Sequence, residues 1–177
     1  MKIALGADHA GFEYKDRIAQ ALREQGHEII DFGTHCATPV DYPIYGFAVG
    51  EAVASGQAER GILVCGSSLG IGIAANKVPG IRCASVMEPL SAELARAHND
   101  ANILALSERL TGWEMIQRLV KVFLETPFDG GRHAHRVAQM FEFGTEQRMR
   151  TLEDVERGEV TGAQTPQADL QTSSSAK

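Results

Sequence analysis

Short apolar runs alternate with stretches of helical periodicity along most of this 177-residue chain. Residues 2–7 (KIALGA), 27–32 (HEIIDF), 61–65 (GILVC), 81–87 and 102–106 are apolar runs short enough for strands. Between them the pattern changes to a period near 3.6. Residues 12–25 place Ile18, Leu22 and several alanines on one face, and Gly26 stops that helix. Residues 41–55 form a second helix with Pro43 in its first turn, ended by Gly56. Further helices are predicted over 69–76, 89–99, 112–125 and 132–150, with Pro127–Gly131 separating the last two. Strand and helix alternate with short connections. That order predicts an α/β fold, a five-stranded parallel sheet in a three-layer α/β/α, Rossmann-like arrangement. One domain is expected over 1–157. Residues 158–177 (GEVTGAQTPQADLQTSSSAK) are polar, carry little to bury, and are expected to form a disordered tail.

In an open sheet of this kind, ligands bind beyond the carboxyl ends of the strands. The stretch from Gly61 to Lys77, GILVCGSSLGIGIAANK, fits that place best. It reads as a buried strand, a turn of small residues from Gly66 to Gly70, and a helix start. Such a turn aims unpaired backbone N–H groups at a ligand, and small residues let the ligand approach the main chain. Cys65 stands at the last strand position, where a thiol can share the pocket. A cysteine there is also ordinary core filler. The turn is not a Walker A loop, because no Lys-Ser/Thr pair follows its last glycine, and it is not a dinucleotide fingerprint.

Composition narrows the field. A hydrophobic fraction of 44% and a charged fraction of 23% describe an ordinary globular protein, and the net charge of −6 gives no footprint for nucleic acid. No apolar run is long enough for a membrane span, and the chain opens on a strand pattern rather than a signal peptide. Cys36, Cys65 and Cys83 have no C-x-x-C spacing and are odd in number, which points to a reducing, cytoplasmic setting.

Polar residues gather at element ends. Asp8 and His9 follow the first strand, although an aspartate there also serves as a helix cap. His98 and Asn99 close the fourth helix, where a histidine also complements the helix dipole. Arg109 follows the fifth strand. Arg132 and Arg136 lie four apart on one helix face, able to hold one phosphate or simply to form a solvated basic face with His133 and His135.

Several segments together resemble one family. GADHAGFEYK, DYPIYG, GILVCGSSLGIGIAANKVPGIRCA, SAELARAHNDANILAL and FLETPFDGGRHAHRV occur in the order and spacing of the ribose-5-phosphate isomerase B and galactose-6-phosphate isomerase family, over residues 1 to about 140. The resemblance implies aldose–ketose isomerisation of a sugar phosphate, with ribose 5-phosphate the default and a tetrose or hexose phosphate the alternatives. It implies no metal and no cofactor, and a homodimer or dimer of dimers whose sites draw on both subunits. Carried over by position, Cys65 moves the proton between C1 and C2 and His98 helps open the sugar ring. Asp8, His9, Asn99 and Arg109 contact substrate. Gly66, Ser67, Ser68, Leu69 and Gly70 hold the enediolate through their N–H groups. His9, Arg132 and Arg136 bind the phosphate. One branch of the family uses a glutamate a few residues beyond the cysteine position; here that stretch, Leu69–Gly72, has no acid. The family loop usually has glycine where this chain has Ser68, which is expected to crowd the sugar and offer it a hydroxyl. A sugar-phosphate-binding protein without catalysis is the competing class. An intact Cys65 and His98 favour the enzyme.

Overall fold

The computed structural model describes residues 1–142. Its elements in order are β1 (Lys2–Ala7), α1 (Phe12–Glu24), β2 (Glu28–Asp31), α2 (Tyr42–Ala54), β3 (Arg60–Cys65), α3 (Leu69–Ala75), β4 (Cys83–Ser85), α4 (Pro89–Ala97), β5 (Ile103–Ser107), α5 (Trp113–Glu125) and α6 (Arg132–Glu142). The five strands form one sheet in the order β2-β1-β3-β5-β4, parallel throughout. The expected α/β/α architecture is therefore present.

Alternation along the strands sorts the core into two layers. Ile3, Leu5, Ile62, Val64, Leu104 and Leu106 meet α1, α4 and α5, where Ile18, Leu22, Ile116, Leu119 and Phe123 are buried. The intervening positions Ala4, Leu63, Cys65, Ile103 and Ala105 meet α2 and α3 through Val49, Ala52, Ile71 and Ala75. Small residues bring α2 and α3 close: a Cβ at Gly46 would stand 2.8 Å from the Ile71 carbonyl oxygen. Lys15 is fully buried, with Nζ 2.6 and 2.7 Å from the Asp31 carboxylate oxygens and 2.8 Å from Asp16 Oδ1. This pairing ties α1 to the carboxyl end of β2 and offsets the cost of burying the charge.

Two elements are shorter than the hydrophobic pattern suggests. β4 occupies 83–85 rather than 81–87, because Arg82 is drawn away into a turn: its N–H donates to Asn102 Oδ1 at 2.8 Å. β2, the other edge strand, spans 28–31 rather than 27–32. The fourth helix ends at Ala97 with His98 as its C-terminal cap. The predicted end of the last helix near 150 and the tail from 158 lie outside the described residues.

The chain leaves β1 toward β2 and returns to place β3 on β1's other side. The switch in strand order thus falls between β1 and β3, where an open sheet leaves a crevice at its carboxyl edge.

Candidate active site

The first turn of that crevice follows β1. Asp8 is buried, and its Oδ1 accepts the N–H groups of Ala10 and Gly11 at 3.0 and 3.1 Å. The turn lies against β3: Asp8 N–H donates to the Val64 carbonyl at 3.3 Å, and a Cβ at Gly11 would stand only 2.4 Å from that same oxygen. Glycine is therefore required at residue 11 for Asp8 and Cys65 to be neighbours. His9 Nδ1 accepts the N–H of Val40 at 3.2 Å. In the neutral ring this fixes the proton on Nε2, which then acts as a donor.

The second turn follows β3. Cys65 is buried, 4% exposed, with its side chain in the layer of Leu63, Ile71 and Ala105. Beyond it, the carbonyls of the loop are tied to the neighbouring strands. Cys65 O accepts Glu108 N–H at 3.0 Å, and Gly66 O accepts Arg109 N–H at 3.1 Å and Ser107 Oγ–H at 2.7 Å. Ser68 O accepts Gly72 N–H at 3.1 Å and Ser85 Oγ–H at 3.2 Å. The N–H groups of residues 66–70 have no acceptor among the described residues. They are unpaired donors at the entrance to α3, an arrangement able to take an anion.

Ser68 departs from its expectation. Its φ is +65°, its side chain is fully buried, and its hydroxyl donates to the Ser67 carbonyl. The hydroxyl is thus turned back into the loop rather than offered to a ligand. The left-handed backbone explains why glycine suits this position. Ser67 and Leu69 are exposed. Arg109 is exposed, and its guanidinium group lies over Gly66: a Cβ there would be 3.1 Å from Nε. Tyr42, which sequence reasoning missed, lies on Gly70 with its ring 2.6 Å from where a Cβ would stand. Its signal was an aromatic residue closing the loop that leaves the carboxyl end of β2.

The remaining predicted residues are elsewhere in the same chain. His98 and Asn99 precede β5, at the amino end of the sheet. Cys65 pairs with Ser107 at the other end. Four steps of ~3.3 Å along β5 separate the two levels by about 13 Å. The turn at the amino end is firmly built. Arg82 Nε donates to the carbonyls of Asn99 and Asp100 at 3.0 and 2.9 Å, and Arg82 and Arg96 both pair with the Asp100 carboxylate at 2.8 Å.

α6 completes this second cluster. His133 stacks on His98 with ring centroids 4.1 Å apart and planes 6° from parallel. His98 Nε2 is 3.8 Å from Asp129 Oδ2. Arg132 and Arg136 are exposed and make no ion pair among the described residues. His133 was missed as more than surface charge. Its four-residue spacing to the buried Val137 marks the inner face of α6, and was the available signal. Desolvation holds the His133 pKa below its ordinary value, and repulsion from any charge on His98 and from Arg132 and Arg136 adds to this against Asp129. The ring therefore stays neutral at neutral pH while the arginines supply the positive charge.

Donor atoms of His98, Asp129 and His133 lie within 4.8 Å of one another, but two arginines beside them oppose a metal cation. A second trio, Asp16, Asp31 and His35, already surrounds the Lys15 ammonium.

The fold and the first cluster define the class: a parallel α/β protein with unpaired main-chain donors, an acid, an imidazole and a guanidinium group gathered at its switch point, the place where open sheets of this kind take small molecules. Sequence comparison carries this further. The profile of the family described as Ribose/Galactose Isomerase matches residues 3–140. Ribose-5-phosphate isomerase B of Escherichia coli is 48% identical over 136 residues, which cover 77% of this chain and 91% of that protein. The galactose-6-phosphate isomerase subunit LacB of Clostridium acetobutylicum is 41% identical, covering 72% of this chain and 74% of its own. The solved structure of ribose-5-phosphate isomerase B from Clostridium thermocellum superposes with a TM-score of 0.80 at 52% identity, over 81% of this chain and 97% of that one. The chain belongs to the ribose/galactose isomerase family and is an enzyme of that family.

Proposed function

We propose that this protein interconverts ribose 5-phosphate and ribulose 5-phosphate, as a homodimer in which each site combines the first cluster of one chain with the second cluster of its partner. The observation that carries the reading is the run of unpaired N–H groups from Gly66 to Gly70, beside Cys65 and the Asp8–His9 turn at the switch point. Aldose–ketose isomerisation removes a proton from C2 and develops negative charge on the carbonyl oxygen. It needs a base at the carbon and donors at the oxygen. Backbone donors already aimed at that charge contribute about 3 kcal/mol each to lowering the barrier.

In this reading Arg132, Arg136 and His9 hold the phosphate. His98 assists ring opening by moving a proton between the ring oxygen and the C1 hydroxyl. Asp8, Asn99 and Arg109 contact the sugar. Cys65, as thiolate, takes the C2 proton, giving an enediolate whose oxygens lie in the cradle. Ser67 relays a proton between those oxygens, and the thiol returns its proton to C1. The result is the ketose, redox-neutral, with the thiolate restored.

Two observations support a partner. The His98 cluster and the Cys65 cluster occupy opposite ends of the sheet, so one chain does not form the whole site. Next to the cradle, α2 and α3 expose Tyr42, Phe47, Leu69 and Ile73, the last at 62%. An apolar surface of this kind marks a protein contact.

Kinetics test the proposal. The protein should turn over ribose 5-phosphate, and Cys65→Ala should lose at least about a hundredfold in kcat, as loss of a general base does, while still binding inorganic phosphate. Normal turnover by that variant would remove Cys65 as the base. The 41% identity to a galactose-6-phosphate isomerase subunit makes a hexose 6-phosphate the second reading. Relative kcat/KM across four-, five- and six-carbon sugar phosphates decides between them.

A further inference from the structure

The cradle's N–H groups are aimed by what holds the carbonyls behind them. A peptide unit is planar and trans, so its C=O and N–H point in opposite directions. Fixing the Gly66 carbonyl therefore fixes the Ser67 N–H, and fixing the Ser68 carbonyl fixes the Leu69 N–H. Each carbonyl accepts one main-chain N–H and one serine hydroxyl from a neighbouring strand end. Ser107, at the end of β5, is fully buried; its hydroxyl donates to Gly66 O at 2.7 Å and accepts Leu110 N–H at 3.1 Å. Both its roles are thus filled, and neither faces substrate. The same turn places Arg109, whose guanidinium covers Gly66. Ser85, at the end of β4, donates to Ser68 O at 3.2 Å. Room for that hydroxyl depends on Gly72, where a Cβ would stand 2.8 Å from Ser85 Oγ.

We propose that Ser107 and Ser85 are positioning residues for the isomerisation: their hydroxyls hold the carbonyls of Gly66 and Ser68 so that the Ser67 and Leu69 N–H groups point at the enediolate oxygens. The inference rests on the isomerase reading above. A donor aimed in advance matters most where charge develops, so the pins act on the transition state more than on substrate binding. Ser107 is the stronger pin, being buried and closer to its carbonyl.

The test compares the full-length protein with its Ser107→Ala and Ser85→Ala variants on ribose 5-phosphate, with inorganic phosphate as a competitive probe of binding. Deleting one oxyanion donor outright typically costs 10²–10³ in kcat, so misaiming one of several should cost Ser107→Ala about tenfold, with KM and phosphate inhibition unchanged. Ser107→Thr, which keeps a hydroxyl, should recover most of the loss. Ser85→Ala should show the same kcat-only pattern with a smaller loss. Its side chain is exposed, so it decides the matter if Ser107→Ala fails to fold. Unchanged kcat in both variants, or a loss that falls on KM and phosphate inhibition instead, overturns the pins while leaving the isomerase reading intact. Absence of turnover by the unmodified protein on every sugar phosphate overturns both.

Discussion

Ser68 holds a backbone conformation that costs an L-residue with a side chain roughly 1–2 kcal/mol. Its φ of +65° is what lets the loop turn from the strand into α3 with its N–H groups outward. Glycine would remove the steric cost, against roughly 0.5–1 kcal/mol of extra chain entropy in the unfolded state. Ser68→Gly should therefore raise stability by up to about 1 kcal/mol, read as a higher urea midpoint at constant slope. A lower midpoint would mean that the hydroxyl bond to the Ser67 carbonyl contributes more than the strain costs. The same substitution should leave substrate preference unchanged, since the Ser68 side chain is buried within the loop. Residue scale also separates the two histidines of the second cluster. His133, desolvated and surrounded by positive groups, stays neutral, whereas His98 is half-buried with Asp129 near its Nε2. Their parallel stacking makes His133 a flat support for the His98 ring.

Helix α4, which ends at His98, shows how local chemistry sets the start of an element. Pro89 sits in its first turn, and Glu88 caps it, accepting Leu90 N–H at 2.8 Å and Ser91 N–H at 2.6 Å. Those bonds, Leu90 N–H foremost and Ser91 adding to it, hold the Glu88 carboxyl below its ordinary value near 4.5. A carboxylate whose folded pKa is depressed stabilises fully above its unfolded value and loses that contribution as pH falls through the folded one. Glu88→Ala should thus lower the thermal midpoint at neutral pH, and the gap from the unmodified protein should close as pH drops below about 4, the lower carboxylate range. A gap independent of pH would show that the cap acts without its charge. This helix, like the others, was legible in the sequence, because period and punctuation agree: Pro89 opens it and its apolar positions recur on the inner face. Where reading failed, at β4 and β2, the strand is an edge, and at β4 the hydrogen bonds between Arg82 and Asn102 override the apolar run. A hydrophobic pattern records burial, not which neighbour takes each N–H.

For the whole molecule, the sequence singled out candidate residues but not which end of the sheet each one occupies. Cys65, Asp8 and His9 follow strands and fall at the carboxyl edge, as the strand order demands. His98 follows a helix and precedes a strand, so the same parallel topology carries it to the opposite edge, and α6 places Arg132 and Arg136 beside it. That geometry makes the proposed two-subunit site testable by complementation. Cys65→Ala and His98→Ala disable different clusters, so each should be inactive alone. Mixed in equal amounts and allowed to exchange subunits, half of the dimers should be mixed. In a mixed two-fold dimer both substitutions fall in one site and neither in the other, so about a quarter of the unmodified activity should return. Activity should scale with the mixed-dimer fraction measured by native mass spectrometry of differently tagged chains. No recovery in a sample shown to contain mixed dimers would mean that both clusters serve a site within one chain, and the two-subunit reading would fall.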